Sequence, residues 1–273
     1  MFKDRSNILL RIIARLLRHS RCCYLFKIDM GTHFLKFSPT ALSAALWVNP
    51  KSRMVDYRIL SAILKPNNIY IDVGANIGSL ALHAARLVGD DGCVIAIEPN
   101  RQVMNGLNDN ISLNNFGNII TVCCGCGGET GVASLKTVGG NDDQGFLQVG
   151  SATSKVRVQR LDDIVNPNYS NIKLIKIDVE GYEEPVLSGA TRVLDCADFV
   201  LFEYFEKNYL RGGSSIERII QKMDSAGFDV HTCEDGIFTK IKLGQSFGAD
   251  VKDLLAVKRG VNLPTLSTNS DSW

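Results

Sequence analysis

The chain lacks a dominant charge: 30 lysines and arginines face 29 aspartates and glutamates, for a net +1. That excludes a chain-wide polycationic surface, so no nucleic-acid partner is expected. The eight cysteines sit mostly in apolar runs. They read as reduced, buried thiols of an intracellular protein rather than a disulfide framework. Cys123, Cys124 and Cys126 lie close together, but no histidine or further cysteine nearby completes a tetrahedral set, so no metal is expected. No apolar run approaches the ~20 residues needed to cross a bilayer. No small-residue cleavage site follows the N-terminal segment, so a secretory leader is not expected. There is no internal repeat. The G-x-G-x-x-G of a dinucleotide site is also missing, although its surroundings are present.

Those surroundings organise the chain. With 273 residues, 45% of them apolar and 22% charged, the sequence is long enough for a full core and has a soluble globular composition. Ile69 to Asn100 reads as strand, glycine turn, helix, strand. A β-branched run ends at Gly74. Leu80, Ala81, Ala84, Ala85 and Val88 recur at helical spacing, and Cys93 to Ile97 leads into Glu98. This is the first half of a nucleotide-binding βαβ unit.

Asp72-x-Gly74-x-x-x-Gly78, with Ala75 and Asn76 between, disfavours a pyrophosphate, which needs bare backbone at a helix N-terminus. S-adenosylmethionine has no phosphate. Gly74 is placed to turn beneath its amino-acid end, Asp72 to supply negative charge near its cationic end, and Glu98 to accept hydrogen bonds from ribose hydroxyls. The Cys123–Gly128 loop is expected to pass under the adenine, where small residues leave room.

The flanks differ in character. Residues 1–29 form a basic amphipathic helix, with Ile8, Leu9, Ile12, Ile13, Leu16 and Leu17 on one face and Arg11, Arg15 and Arg18 on another. Two readings stay open: peripheral contact with a membrane surface, or packing on the catalytic domain. A cytoplasmic protein is expected, membrane-associated under the first reading. Phe34–Phe37 and Ala45–Val48 look like short strands, and Met54–Leu64 like a helix. Residues 1–50 are read as a lead-in, 51–260 as the domain and 261–273 as a disordered, Ser/Thr/Asn-rich tail. Between Val132–Val138 and Lys155–Arg160, both strand-like, lies a polar loop, Gly139–Gly145.

A second constellation, Ile172 to Glu183, reads as a strand ending at Asp178 and a helix from about Tyr182 to Leu194. Ligands of open α/β sheets bind beyond the carboxyl ends of the strands, so Asp178 and Glu180 belong to the same rim as Gly74 and Glu98. Glu183 and Glu184 suit the dipole of that helix. Further strands are expected at Phe199–Tyr204, Phe228–Cys233, Gly236–Ile241 and Leu254–Lys258, with a helix capped by Ser214.

Asp72-Val73-Gly74-Ala75-Asn76-Ile77-Gly78, Ile97-Glu98-Pro99-Asn100, Arg160-Leu161-Asp162-Asp163 and Lys176-Ile177-Asp178-Val179-Glu180-Gly181-Tyr182-Glu183 together resemble the FkbM family of S-adenosylmethionine-dependent methyltransferases. The resemblance runs from about Ile69 to Tyr204 and weakly on to Lys258. It implies a class I methyltransferase fold: an α/β, Rossmann-like sheet, mostly parallel with an antiparallel late strand and helices on both faces. It also implies O-methylation of a hydroxyl, usually on a sugar, a glycan or a secondary metabolite. The cofactor-binding residues are then Asp72, Gly74, Asn76, Gly78 and Glu98. Asp178 and Glu180 are the catalytic pair, one as base and one orienting, with Asp178 the first choice for base. His231 is the rival base. Two other functions remain as alternatives: a non-catalytic module that keeps the cofactor fold, and an NAD-dependent dehydrogenase, which the missing G-x-G disfavours.

Overall fold

A computed structural model describes residues 3–138, 141–148, 154–234, 237–242, 244 and 252–266. The N-terminal part carries α1 (Lys3–Arg18), β1 (Lys27–Asp29), β2 (Phe34–Lys36), α2 (Ala41–Val48) and α3 (Met54–Ile63). Next come β3 (Ile69–Val73), α4 (Ser79–Val88), β4 (Cys93–Ile97), α5 (Arg101–Asn114) and β5 (Ile119–Val122). An inserted region holds β6 (Gly125–Cys126), β7 (Gly131–Val138), β8 (Asn141–Gln148), β9 (Ser154–Gln159) and α6 (Leu161–Ile164). The chain then returns as β10 (Ile172–Ile177), α7 (Glu183–Ser188), α8 (Thr191–Asp195), β11 (Ala197–Tyr204), α9 (Glu206–Gly212) and α10 (Ile216–Ser225). It closes with β12 (Phe228–Glu234), β13 (Ile237–Lys240) and β14 (Lys252–Lys258).

The main sheet has the order β13-β12-β14-β11-β10-β3-β4-β5. Strands β5, β4, β3, β10 and β11 are mutually parallel, and β14 enters antiparallel between β11 and β12. This is the expected doubly wound sheet with one reversed late strand. The inserted strands form a separate sheet, β6-β9-β7-β8.

Strand alternation builds the two cores. Tyr70, Val94, Leu174, Phe199 and Leu201 pack on one face, against α3, α4 and α5. Ile71, Val73, Ile95, Ile175, Ile177, Val200 and Phe202 pack on the other, with α7, α8 and α10. Asp72 and Lys176 alternate with the second set, so the pleat turns both toward the α3 side, where they are almost completely buried. They are register partners on adjacent strands. The strand order reverses between β3 and β10, which is where ligands bind in such sheets.

Several local expectations are corrected. Ala45–Val48 is the end of helix α2, not a strand; the Thr40 side chain caps it by accepting from the Ser43 N–H at 3.1 Å. A four-residue apolar run cannot by itself distinguish strand from buried helix. The helix expected over 182–194 is broken at Gly189-Ala190. Gly189 packs so closely on the Gly127 carbonyl that a Cβ there would overlap it. The second piece, α8, is capped from a distance by Asp162, whose carboxylate accepts from the N–H groups of Arg192 (3.2 Å) and Val193 (3.0 Å). Asn141–Gly145 is in strand β8 rather than in a loop, and Gly139-Gly140 lie outside the described residues. Ser215, not Ser214, caps α10, while the Ser214 hydroxyl donates to Glu184 at 2.7 Å. In the tail, Leu266 packs on the core; 267–273 lie outside the described residues.

The boundary expected near Lys51 is not a break in packing. Cys23, Ile28, Met30, Leu35, Phe37 and Leu46 belong to the same buried cluster as Tyr70 and Leu107. Buried Asn110 of α5 joins the two parts: its Oδ1 accepts from the Lys36 N–H at 2.7 Å and its Nδ2 donates to the Ile77 carbonyl at 2.8 Å. Asn110→Ala should therefore leave one buried and one half-buried backbone group unpaired and lower stability by about 1–3 kcal/mol. A urea titration reads this directly, and an unchanged midpoint would show that Asn110 does not anchor the N-terminal hairpin.

Candidate active site

A cavity of about 280 Å³ lies at the carboxyl ends of β3, β4 and β10. Asp72, Gly74, Asn76, Glu98, Asp178 and Glu180 all line it, so six of the seven expected site residues converge. Gly78 is off the lining. It is the left-handed N-cap of α4, with φ +89°, and a Cβ there would overlap the side chains of Leu107 and Leu82. Its contribution is the close seating of α4 on α5. Gly74 does line the cavity, but its φ of +86° answers first to the neighbouring strand. A Cβ there would overlap the Asp178 carbonyl oxygen. The Asp178 N–H donates to the Val73 carbonyl at 2.9 Å, so the two strand ends are drawn together at a point where only glycine fits.

Glu98 is held before any ligand arrives. Its Oε2 accepts from the Asn76 N–H at 3.1 Å and its Oε1 from the Asn100 N–H at 2.8 Å. Each oxygen keeps a second lone pair, which suits a pair of ribose hydroxyls. Burial pushes its pKa up to about 7 despite those two amides. Cys124, Gly125 and Cys126 form the wall beyond it, and burial raises both thiols, so they are small inert surfaces. Among the described residues no cluster has metal-holding geometry.

The other side of the cavity is ionic. Lys176 Nζ lies 3.2 Å from Asp178 Oδ2, and Arg53 Nη1 lies 3.2 Å from Asp56 Oδ2 and 3.8 Å from Asp178 Oδ2. Burial acts to raise the Asp178 pKa, but Lys176 and Arg53 together outweigh it and hold the carboxyl below its ordinary value. Glu203 and Asp253, register partners on β11 and β14, are both pushed up, first by burial and then by neighbouring acids. Asp72 is pushed up to about 7 by burial, with Lys176 pulling the other way. Its Oδ2 is buried and makes no hydrogen bond of normal geometry among the described residues, with the buried Tyr70 hydroxyl close enough to pull its pKa slightly down. On the lining, Asp72, Glu98, Asp178 and Glu180 outnumber Arg53 and Lys176, and Asp56, Glu203 and Asp253 lie behind them. An acid-rich wall with a buried carboxylate fits a ligand that brings its own positive charge, as the sulfonium and ammonium of S-adenosylmethionine do.

Glu180 takes φ +56° at the rim, and its Oε2 accepts from Asn208 Nδ2 at 2.6 Å. Burial and then Asp178 raise its pKa. Glu183 folds back on this loop rather than serving only the helix dipole. Its Oε1 accepts from the Val179 and Gly181 N–H groups, each at 3.3 Å, and burial pushes its pKa to about 7. His231 is on β12, paired with Leu255 and Lys240, and does not line the cavity. Sequence reasoning missed Arg53, Lys176 and Asp253. Lys176 left a signal, a lysine at an inward position of an apolar strand; Arg53 and Asp253 left none.

Parallel sheet, reversed late strand and an acid-rimmed cavity at the switch point define a class I methyltransferase fold, whose cofactor is of the S-adenosylmethionine type. The chain belongs to the FkbM methyltransferase family: the profile of the methyltransferase FkbM domain matches residues 72–230. It is 29% identical over 152 residues to the hexuronic acid methyltransferase AglP of Haloferax volcanii, covering 54% of this chain and 59% of that protein. It is 25% identical over 186 residues to methyltransferase 1 of Beauveria bassiana, covering 60% of this chain and 74% of that one. A candidate rRNA methylase from Clostridium thermocellum shares the fold, with a TM-score of 0.50 at 10% identity, over 76% of this chain and 95% of that one. The dehydrogenase alternative is thereby set aside.

Asp72 gives a test with a definite sign. Its pKa is raised on folding, so its ionisation costs stability that is absent near pH 4 and fully felt above about pH 7. Asp72→Asn should leave stability nearly unchanged at low pH and raise it by about 1–3 kcal/mol at pH 8. The same change should weaken S-adenosylmethionine binding by roughly tenfold or more at pH 8. Paired denaturant and calorimetric titrations measure both. A variant less stable at pH 8 would mean that Lys176 already satisfies the carboxylate.

Proposed function

We propose that the chain transfers a methyl group from S-adenosylmethionine to a hydroxyl oxygen of a sugar or glycan. The observation that carries this reading is Glu180, a cavity-lining carboxylate whose pKa is raised by burial and by Asp178, beside the site assigned to the cofactor. When bound, S-adenosylmethionine supplies an electrophilic methyl carbon. Asp72 and the Gly74 turn hold its amino-acid end, and Glu98, fixed by the Asn76 and Asn100 amides, takes the ribose hydroxyls. Gly78 acts through the seating of α4, not by contact.

The acceptor hydroxyl must lose a proton as its oxygen attacks. Asp178 is poorly suited to take it, because Lys176 and Arg53 stabilise its charged form. Glu180 is the better base, and the order of preference drawn from sequence is reversed. Asp178 orients the rim, and Asn208 fixes the Glu180 side chain. Holding the acceptor in line supplies much of the acceleration, and proton removal typically adds about 10²–10⁴-fold. The sugar acceptor is supported by the Haloferax volcanii relative, a hexuronic acid methyltransferase.

Glu180→Gln should cut turnover by roughly a hundredfold or more while leaving cofactor affinity near wild type. His231→Gln should change neither. The acceptor is found with label from S-adenosylmethionine and a panel of neutral and uronic-acid glycans. Label that survives mild alkali marks a methyl ether on a hydroxyl. Label released as methanol marks a methyl ester on a carboxylate, an acceptor needing no base, and that result with an unimpaired Glu180→Gln would overturn the proposal.

A further inference from the structure

The amphipathic helix α1 has more apolar surface than the domain uses. Three stripes are separate at helical spacing. Leu10, Ala14 and Leu17 face inward: Ala14 is buried, Leu17 packs on the core and the helix lies on α2. Packing therefore accounts for this stripe alone. Ile8, Leu9, Ile12, Ile13 and Leu16 form the next stripe and are exposed, Leu9 by 61% and Leu16 by 67%. The third stripe is Arg11, Arg15 and Arg18. The apolar surface continues past the helix through Tyr24, Leu25 (82% exposed) and Phe26. From Arg5 to Ile28 the sequence contains no aspartate or glutamate.

We propose that this exposed face of α1, with Tyr24 to Phe26, seats the protein on an anionic lipid bilayer. The apolar stripe enters the boundary between headgroups and acyl chains while the adjacent arginines meet lipid phosphates. Charge selects this occupant over a second copy of the chain. Two copies meeting through this face would bring arginine stripes together, against a single acid, Asp4, in α1 to neutralise them. The contact is peripheral: among the described residues no helix is long and apolar enough to cross a membrane. Because α2 contributes Ala41, Leu42 and Ala45 to the cavity wall, a membrane-seated α1 would hold that wall close to the bilayer.

The test is co-sedimentation of the full chain with vesicles of phosphatidylcholine alone or mixed with phosphatidylserine, with light scattering in parallel. Binding should be roughly tenfold or more greater to the anionic vesicles and should fall as salt is raised. The double variant Leu9→Ser, Leu16→Ser should lose that binding, as should Arg11→Gln, Arg15→Gln. Both pairs are exposed, so melting temperature and S-adenosylmethionine affinity should stay at wild-type values. Equal or negligible binding to both vesicle types would overturn the proposal. So would a dimer in solution that the leucine variant dissociates, which would assign the face to a second copy.

Discussion

The site depends on an ionic imbalance at the point where the strand order reverses. Parallel pairing places Asp72 on β3 beside Lys176 on β10, and the pleat buries both. Asp178 follows one turn of the pleat later and collects Lys176 and Arg53. Two cations meet five buried or half-buried carboxyl groups. Breaking such a cluster by removing one partner is costly, and leaving it unbalanced raises carboxyl pKa values. Asp72, Glu203 and Asp253 are all raised in this way, first by burial. A neutral core would fold more easily. The acid excess suits a cationic ligand, and the family's cofactor is cationic.

The same strand ends fix the rest of the rim. Gly74 and Asp178 approach so closely that neither loop can shift without the other. Glu183 then ties the Val179 and Gly181 amides down, and Asn208 holds Glu180. On the opposite side Glu98 is clasped by two loop amides. Site groups held by backbone at several points lose little freedom on binding, which is how a fold stores positioning in advance.

The mostly parallel sheet with its reversed late strand and the convergence of Asp72, Glu98, Asp178 and Glu180 were legible in the sequence, because β-branched runs ending in glycine or acid mark strand tips. Gly78 lies off the cavity lining, and the sequence did not show that a Cβ there would meet Leu107 in the next helix. Asp178 was preferred as base because its partner Arg53 sits in a segment with no distinguishing pattern. Ala45–Val48 was read as a strand because its cap, Thr40, and its burial are set by tertiary packing. The two readings of α1 were posed as exclusive, yet the helix has a stripe for each: one buried on α2 and one exposed.

The protonation of the acid cluster in the free protein tests the cation site most directly. Asp72 and Glu98 each have a pKa near 7 in the free protein, both through burial. A cationic cofactor should draw Asp72 into its ionised form and expel its proton. Isothermal titration of S-adenosylmethionine at pH 6.5, in buffers of different ionisation enthalpy, measures that proton. Net proton release on binding, smaller by up to roughly one proton per cofactor in Asp72→Asn, is the predicted result. Binding with no proton exchange, or with uptake, would contradict the claim that the acid excess is built for a cation.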